Sequence, residues 1–206
     1  MSSRLANKWV LITGASSGFG AAAARAFARE GCNLILGARR TDKLEAVAAE
    51  ACKLGAPTAV FHKLDVSNTS SVNKFADSIP ALTKQIDVLV NNAGGARHAP
   101  FLDVTEADYD AILDLNLRSA FFVMQQVARG MKAARLHGSI VNLSSQMGHV
   151  GGPRRSVYCA TKFAVEGMTK AAALDLAPHG IRVNTLCPTF IETPDRKSTR
   201  LNSSHG

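Results

Sequence analysis

Short apolar segments rich in β-branched residues alternate along the chain with longer segments of helical periodicity. The apolar segments lack strict polar alternation, which is typical of strands buried on both faces. The predicted strands span residues 9–13, 33–37, 58–64, 86–90, 139–143 and 181–186. The predicted helices span residues 18–30, 42–54, 70–79, 105–114, 120–135 and 156–177. This order predicts an α/β fold in which helices cover both faces of a parallel sheet.

The composition fits one domain with a hydrophobic core. The chain has 206 residues, of which 46% are hydrophobic and 19% are charged. A chain of this length can bury a core without disulfide or metal support. It contains no apolar run near the ~18 residues that a membrane-spanning helix needs, and its start lacks the apolar segment of a signal peptide. We therefore expect a cytoplasmic protein without a membrane partner.

Charge, cysteines and histidines exclude several other classes. The formal net charge is +8, but the basic residues are dispersed and no nucleic-acid-binding motif accompanies them, so no nucleic-acid partner is predicted. The cysteines form no Cys-x-x-Cys pair, and the six histidines show no metal-ligand spacing. We expect free thiols and no metal site. The cysteines are Cys32, Cys52, Cys159 and Cys187.

A glycine-rich loop separates the first predicted strand from the first predicted helix. Gly14, Gly18 and Gly20 follow the spacing Gly-x-x-x-Gly-x-Gly. Glycines allow a tight turn and a close approach of the backbone to a pyrophosphate, and the start of the helix supplies free N–H donors. The loop therefore predicts dinucleotide binding. A plain strand–turn–helix junction is the alternative.

A tyrosine and a lysine lie one turn apart in the last predicted helix. Tyr158 and Lys162 occupy positions i and i+4, so their side chains project from one face. A nearby ammonium favours the phenolate form of a tyrosine and suits it to acid–base catalysis near neutral pH. Ser145 follows the fifth predicted strand and is placed to hold a substrate oxygen. Ser144 competes for that role, and either serine serves equally well as a turn cap.

Together these motifs resemble the signature of the short-chain dehydrogenase/reductase family. The matching residues, in the family's order and spacing, are Thr13-Gly14-x-x-x-Gly18-x-Gly20, Asn91-Asn92-Ala93-Gly94, Ser145 and Tyr158-x-x-x-Lys162. The resemblance runs from about residue 8 to residue 194. It implies a Rossmann-like, doubly wound parallel sheet in a three-layer αβα fold. It also implies that residues 1–194 form a single domain without the family's last strand.

The resemblance implies four catalytic residues. Tyr158 would exchange a proton with the substrate oxygen, while Lys162 would support Tyr158 and bond the nicotinamide ribose. Ser145 would hold the substrate oxygen. Asn116 matches the family's fourth catalytic residue, which supports a water-linked proton relay to the lysine. A buried asparagine that bonds the backbone is the plainer interpretation of Asn116, and it is compatible with the relay.

The resemblance also implies a cofactor site. Asp65 matches the residue that bonds the adenine amino group. The segment 91–94 matches one that stabilises the central sheet and lines the cofactor cleft. The full set of expected cofactor-binding residues is Gly14, Ser16, Ser17, Gly18, Phe19, Gly20, Arg39, Asp65, Val66, Asn92, Ala93, Gly94, Tyr158, Lys162, Pro188, Ile191 and Thr193.

The end of the second predicted strand bears on the choice between NAD and NADP. An acidic residue there would bond the adenosine ribose hydroxyls and select NAD. The sequence has Ala38 at that position, followed by Arg39, whose guanidinium suits a 2′-phosphate. NADP is therefore the expected cofactor. NAD remains the alternative, since the glycine loop has no basic residue and Arg39 or Arg40 also suits the exposed start of a helix.

The sequence departs from the family pattern after the sixth predicted strand. Thr189 stands where relatives usually have glycine, which leaves the backbone conformation there open. The family's substrate-covering loop and last strand would follow Pro194. Residues 195–206 instead show no apolar periodicity and resemble a translated sequencing-library adapter. We expect this tail to be artefactual and disordered. A natural polar tail is the alternative.

The resemblance implies an NADP(H)-dependent oxidoreductase that interconverts a secondary alcohol and a ketone. The expected substrate is a 3-oxoacyl compound, a 3-hydroxy acid or a related small carbonyl compound. The alternatives are an NAD-linked sugar, polyol or gluconate-type dehydrogenase and, in another class, a non-catalytic nucleotide-binding protein. The intact set of Ser145, Tyr158 and Lys162 argues against the non-catalytic protein. Relatives usually assemble through helices near Ala120 and Ser156, so a homotetramer or homodimer is expected.

Overall fold

Six parallel strands form one sheet in the part of the chain that the computed structural model describes, residues 4–83 and 85–189. The strands are β1 (Trp9–Thr13), β2 (Asn33–Ala38), β3 (Ala59–Lys63), β4 (Val88–Asn91), β5 (Ser139–Leu143) and β6 (Arg182–Leu186). Their order across the sheet is β3-β2-β1-β4-β5-β6. This confirms the predicted doubly wound, Rossmann-like α/β fold. Ile191, Thr193 and the segment 195–206 lie outside the described residues.

Helices cover both faces of the sheet. They include α1 (Gly18–Arg29), α2 (Thr41–Lys53), α3 (Thr69–Ser78), α4 (Glu106–Leu113), α5 (Ser119–Ala133) and α6 (Ser156–Leu176). Successive residues of a strand point to opposite faces, so Val10 and Ile12 join one hydrophobic cluster whereas Leu11 joins another. The first cluster includes buried residues of α1 and α2, and the second includes buried residues of α3 and α5. The continuous apolar character of the strands follows from this double coverage.

The direction of the chain across the sheet reverses beside β1. This strand pairs with β2 on one side and with β4 on the other. The connections that leave β1 and β4 therefore run to opposite sides, which opens a crevice at the carboxyl ends of these two strands. The glycine loop follows β1 and the segment 92–94 follows β4, so both predicted motifs lie at this crevice.

A π-helical segment joins α4 to α5. The sequence pattern indicates two helices, 105–114 and 120–135, but the segment Asp114–Arg118 connects them directly in the structure. A π-helical turn carries an additional residue and changes which side chains face inward, and such turns are frequent at functional sites. Asn116, at the centre of this segment, is only 2% exposed.

Buried amides fix the central strands to the helices. Asn91 Nδ2 donates to Asn142 Oδ1 at 3.0 Å and to the Ala120 carbonyl at 2.8 Å. Asn142 Nδ2 in turn donates to Thr169 Oγ1 at 3.0 Å. These bonds link β4 and β5 with α5 and α6 near the carboxyl edge of the sheet. Because each amide is buried, its hydrogen bonds are costly to break.

In the described residues, no helix combines the length and the apolar character needed to cross a membrane. All four cysteines lie in the described part of the chain, and all are free thiols.

Candidate active site

The backbone of the glycine loop is packed tightly against the ends of β1 and β4. Gly14 has a φ of 65°, in the left-handed region that favours glycine. A Cβ atom at Gly20 would lie 2.3 Å from the Gly14 carbonyl oxygen, so a side chain there requires the loop to move. The start of α1 therefore lies close to the end of β1, where its free N–H groups can bind an anion in the crevice.

Hydrogen bonds join the end of β1 to the segment that follows β4. The backbone N–H groups of Asn92 and Ala93 both donate to Thr13 Oγ1, each at 3.0 Å. Asn92 Nδ2 donates to the Thr13 carbonyl at 2.9 Å. The Asn92 amide therefore positions the glycine loop directly. Asn92 and Ala93 belong to the predicted segment 91–94, and their bonds hold that segment to the end of β1.

A cavity of about 170 Å³ lies beside the glycine loop. Its walls contain many of the residues predicted to bind the cofactor. Seven predicted cofactor-binding residues that the structure describes do not line this cavity: Gly18, Phe19, Gly20, Asn92, Tyr158, Lys162 and Pro188. The lining residues are Gly14, Ser16, Ser17, Ala38, Arg39, Arg40, Leu64, Asp65, Val66, Ala93, Gly94 and Leu115. The fold therefore brings the ends of β1, β2, β3 and β4 to one site.

Arg40 contacts the glycine loop, which the sequence did not indicate. Its Nη2 atom donates to Ser17 Oγ at 2.7 Å and to Ser16 Oγ at 3.2 Å. Arg39 and Arg40 are both exposed, so two guanidinium groups border the same cavity. The only sequence signal for Arg40 was its position at the carboxyl end of β2. Its contact with the loop depends on the tertiary fold.

Tyr158 and Lys162 lie one turn apart on α6, as the spacing predicts. Lys162 is 6% exposed, and its Nζ atom donates to the Leu143 carbonyl at the end of β5, at 2.7 Å. The same Nζ atom lies 5.7 Å from the centre of the Tyr158 ring. The ammonium group therefore lies between the end of the sheet and the tyrosine. At this distance the ammonium can interact with the face of the tyrosine ring.

Burial changes the acid–base behaviour of Lys162. Removal of the ammonium from water lowers the pKa of Lys162 from 10.5 to about 8, although electrostatic interactions with Cys187 and Glu166 oppose the shift. A lysine with this pKa carries its positive charge at neutral pH and can exchange a proton in mildly alkaline solution. Strongly shifted pKa values of this kind cluster at functional sites.

Ser144 and Ser145 differ in their surroundings. Ser144 is buried, and its hydroxyl lies close to Gly148, because a Cβ atom at that glycine would come within 2.8 Å of it. Ser145 is half-buried, and its Oγ atom accepts from the Met147 N–H at 3.2 Å. This bond caps the short helix Gln146–Gly148, so the capping alternative for Ser145 is present in the structure. The greater exposure of Ser145 favours it over Ser144 as a group that can reach a ligand.

Asn116 connects the segment after β4 to α6. Its Oδ1 atom accepts from the Gly95 N–H, and its Nδ2 atom donates to the Gly95 carbonyl, both at 2.9 Å. Nδ2 also donates to Thr161 Oγ1 at 3.2 Å. Thr161 precedes Lys162 and was not among the predicted site residues. The plainer interpretation of Asn116, a buried residue that bonds the backbone, therefore matches its contacts, and the relay role remains a prediction.

The imidazole ring of His98 packs against the aromatic ring of Tyr158. The two rings meet edge to face, with their centres 6.5 Å apart. Burial lowers the pKa of His98, and the nearby positive charges of Arg155 and Arg154 lower it further. His98 is therefore a neutral group beside the tyrosine at neutral pH.

The segment after β6 keeps an ordinary backbone at the position where relatives have glycine. Within the described residues, positive φ outside glycine occurs at Asn7, Arg135 and Arg154, so Thr189 does not need a glycine conformation. The Pro188 carbonyl accepts from the Gln146 N–H at 3.0 Å, which ties this segment to the loop that carries Ser145.

Known proteins resemble the chain in sequence and in fold. A sequence model of the family described as short chain dehydrogenase matches residues 8–204. The matched range runs past Pro194, where the family pattern was expected to end, so the domain boundary at 194 and the nature of the tail remain predictions.

Several characterised proteins resemble the chain over most of its length. It is 42% identical over 192 residues to the 3-oxoacyl-[acyl-carrier-protein] reductase FabG of Thermotoga maritima, which covers 93% of this chain and 77% of that protein. It is 39% identical over 189 residues to the sorbitol dehydrogenase of Cereibacter sphaeroides, covering 92% of this chain and 72% of that protein. One relative is named for the reduction of a carbonyl compound and the other for the oxidation of an alcohol.

Solved structures share the fold. A short-chain type dehydrogenase/reductase from Mycobacterium marinum superimposes with a TM-score of 0.90 at 35% identity, covering 97% of this chain and 81% of that one. A xylitol dehydrogenase bound to NAD+ superimposes with a TM-score of 0.91 at 33% identity, covering 96% of this chain and 76% of that one.

The low pKa of Lys162 predicts a pH dependence of stability. In the unfolded chain the lysine keeps its proton up to about pH 10.5, whereas the folded chain releases it near pH 8. The unfolded state therefore binds more protons between these values, and the Lys162 contribution to the free energy of unfolding rises with pH across that window. The expected slope approaches about 1.4 kcal/mol per pH unit for one proton.

Urea unfolding at several pH values measures this contribution as the difference between the wild-type chain and Lys162→Met. Lys170→Met, which removes an exposed lysine from the same helix, is the matched control and should show no such slope. A difference between wild type and Lys162→Met that stays constant from pH 8 to 10.5 would contradict the assignment.

Proposed function

The chain belongs to the short-chain dehydrogenase family, and from that premise we propose that it is an NADP(H)-dependent oxidoreductase that interconverts a secondary alcohol and a ketone. Membership of this family supports an oxidoreductase directly, since its members are NAD(P)-dependent oxidoreductases of alcohol and carbonyl groups. The observation that carries the proposal is the position of Tyr158 next to the buried ammonium of Lys162. The two groups lie at the same edge of the sheet as the glycine loop.

The residues at the crevice fit a dinucleotide. Gly14 and Gly20 leave no room for a Cβ atom, so the backbone of the loop can approach a pyrophosphate at the start of α1. The predicted adenine contact, Asp65, lines the same cavity. Its Oδ1 atom accepts from the N–H and the hydroxyl of Ser67, which fixes the orientation of the carboxylate.

The proposed preference for NADP rests on the positive charge of two arginines. Arg39 and Arg40 border the cavity from the end of β2, and Ala38 stands where an acidic residue would select NAD. Arg40 is already oriented by Ser16 and Ser17, which lowers the cost of holding a phosphate. Two guanidinium groups at this point suit a 2′-phosphate and give no acceptor for a free 2′-hydroxyl.

The proton moves at the Tyr158 oxygen. In the direction of reduction, Tyr158 donates its hydroxyl proton to the carbonyl oxygen of the substrate while the cofactor, when bound, supplies the hydride to the carbonyl carbon. Lys162 stabilises the phenolate that remains, and the half-buried hydroxyl of Ser145 holds the substrate oxygen. Asn116 holds the segment after β4 against α6, which keeps the wall of the site in place. A water-linked relay through Asn116 to Lys162 would restore the proton.

The proposed substrate is a 3-oxoacyl compound, a 3-hydroxy acid or a related small carbonyl compound. The similarity to the 3-oxoacyl reductase supports this class. An NAD-linked sugar or polyol dehydrogenase is the second candidate, supported by the similarity to a sorbitol dehydrogenase and to a galactitol 2-dehydrogenase of Agrobacterium fabrum. A non-catalytic nucleotide-binding protein is disfavoured, because a buried lysine costs stability and a binding protein would not need it.

Exposed apolar side chains on α5 and α6 support a homo-oligomer. Phe121 and Phe122 on α5 are 43% and 44% exposed, and Phe163 and Leu174 on α6 are 50% and 77% exposed. Exposed aromatic side chains in such numbers are typical of surfaces that another subunit covers. We therefore place the contact between subunits on these two helices.

Replacement of Tyr158 by phenylalanine tests the catalytic proposal. The variant lacks the proton that the substrate oxygen must receive, so kcat should fall by about 10²–10⁴-fold. The dissociation constant for NADPH, measured by fluorescence titration, should change little because the ring remains.

The other tyrosine provides the control. Tyr109 lies on α4 and is 45% exposed, so Tyr109→Phe should keep the wild-type kcat. Full activity of Tyr158→Phe would refute the assignment of the proton to Tyr158.

Replacement of Arg39 by alanine tests the choice of cofactor. Loss of a charge-assisted hydrogen bond to the 2′-phosphate should lower kcat/KM for NADPH by about 10–100-fold and leave kcat/KM for NADH nearly unchanged. Steady-state kinetics with both cofactors gives this ratio.

Arg29→Ala, at the exposed end of α1, is the matched control and should leave both values unchanged. If the wild-type protein already prefers NADH, or if Arg39→Ala affects both cofactors equally, the NADP assignment is wrong.

A further inference from the structure

We propose that His149, Glu166 and Cys187 form a binding site for a divalent transition-metal ion of the zinc type. The cluster lies beside the predicted catalytic residues but shares none of them. Glu166 is on α6, Cys187 directly follows β6, and His149 directly follows the short helix Gln146–Gly148. The three residues are far apart in sequence, so no ligand spacing indicated the site. The fold alone brings them together.

The separations between the three donor atoms match those in a tetrahedral zinc site. His149 Nε2 lies 3.4 Å from Cys187 Sγ and 3.7 Å from Glu166 Oε1. Cys187 Sγ lies 3.0 Å from the same Oε1 atom. Ideal zinc–ligand bonds at tetrahedral angles separate such donors by about 3.4–3.6 Å, so the sulfur–oxygen separation must widen by about 0.6 Å and the other two change by about 0.3 Å or less. One ion can therefore contact all three donors with small side-chain movements.

The donor set has the right chemistry and charge. Thiolate, imidazole and carboxylate are the three common protein ligands of zinc, and three protein ligands leave a fourth position for water. Coordination releases the thiol proton of Cys187 to solvent. The thiolate and the Glu166 carboxylate then balance the two positive charges of the ion, so the complex is neutral in a partly buried place.

A second contact orients the carboxylate toward the site. Thr185 Oγ1 donates to Glu166 Oε2 at 3.1 Å. That bond occupies one carboxylate oxygen and leaves Oε1, the oxygen that contacts both Cys187 and His149, for an ion. Outer contacts of this kind orient ligands in established metal sites.

An ion can reach the cluster from solvent. The side chain of His149 is 53% exposed, whereas that of Glu166 is 9% exposed. The imidazole therefore forms the outer edge of the site, and the carboxylate forms its floor. Cys187 is half-buried between them.

Without an ion the same groups form hydrogen bonds, since the Cys187 thiol can donate to Glu166. The experiment must therefore distinguish a hydrogen-bonded cluster from a metal site. Co²⁺ suits this purpose because a thiolate ligand gives it a charge-transfer band in the near ultraviolet, and tetrahedral coordination gives intense visible bands. Neither signal requires the cofactor or turnover, so the result is independent of the proposed enzymatic function.

The test is a titration of the reduced, metal-free full chain with Co²⁺ alone. The wild-type chain should show both signals, saturating at one ion per chain. Cys187→Ser should lose the charge-transfer band. His149→Ala, which removes an exposed side chain, should bind Co²⁺ at least about tenfold more weakly, and Thr185→Val should bind it about 10–100-fold more weakly.

Cys52→Ser removes the exposed cysteine of α2 and is the matched control, with signals equal to those of the wild type. A wild-type chain that gives no thiolate band overturns the proposal and leaves the cluster as a hydrogen-bonded network. The proposal also fails if Cys187→Ser retains the band, if Cys52→Ser loses it, or if His149→Ala binds as tightly as the wild type.

Discussion

The burial of the Lys162 ammonium is the constraint on which the rest of the site depends. A charge in the protein interior is costly unless polar partners surround it. Here the Leu143 carbonyl accepts from Nζ at 2.7 Å, and that bond requires α6 to lie across the end of β5. The same placement brings Tyr158 beside the ammonium, and it brings Glu166, one turn further along α6, to the end of β6. An α/β core alone gains nothing from such a lysine, so its burial agrees with the proposed catalytic role.

Polar contacts at the carboxyl edge of the sheet hold the two halves of the site together. Thr13 joins the glycine loop to the segment after β4, and Asn116 joins that segment to α6. The remainder of the sheet is held by apolar packing on both faces. Directional hydrogen bonds are therefore concentrated where a ligand would bind, and hydrophobic packing stabilises the rest of the sheet.

Much of the fold could be predicted because its signals are local. The apolar strands, the helical periodicity and the glycine loop each depend on residues that are close in sequence, and the structure has them where the pattern indicated. The π-helical segment was missed because its additional residue shifts the phase of the helical pattern, so the sequence indicated two helices with a gap between them. Two features were missed: the contact of Arg40 with Ser17 and the cluster around Glu166. Each brings together residues that lie more than twenty positions apart in the sequence and in different structural elements. Such contacts follow from the tertiary fold and have no pattern of their own.

The central claim is that this site transfers a hydride between a nicotinamide and a carbonyl carbon. The most direct measurement is mass spectrometry of the alcohol formed from ketones, 3-oxoacyl esters and ketoses in the presence of NADPH deuterated at nicotinamide C4. The account predicts one deuterium on the carbinol carbon, from one face of the nicotinamide, and no deuterium on the carbinol carbon when only the solvent is deuterated. Alcohol whose carbinol hydrogen comes from solvent, or the absence of any reduced product across the three classes, would contradict it.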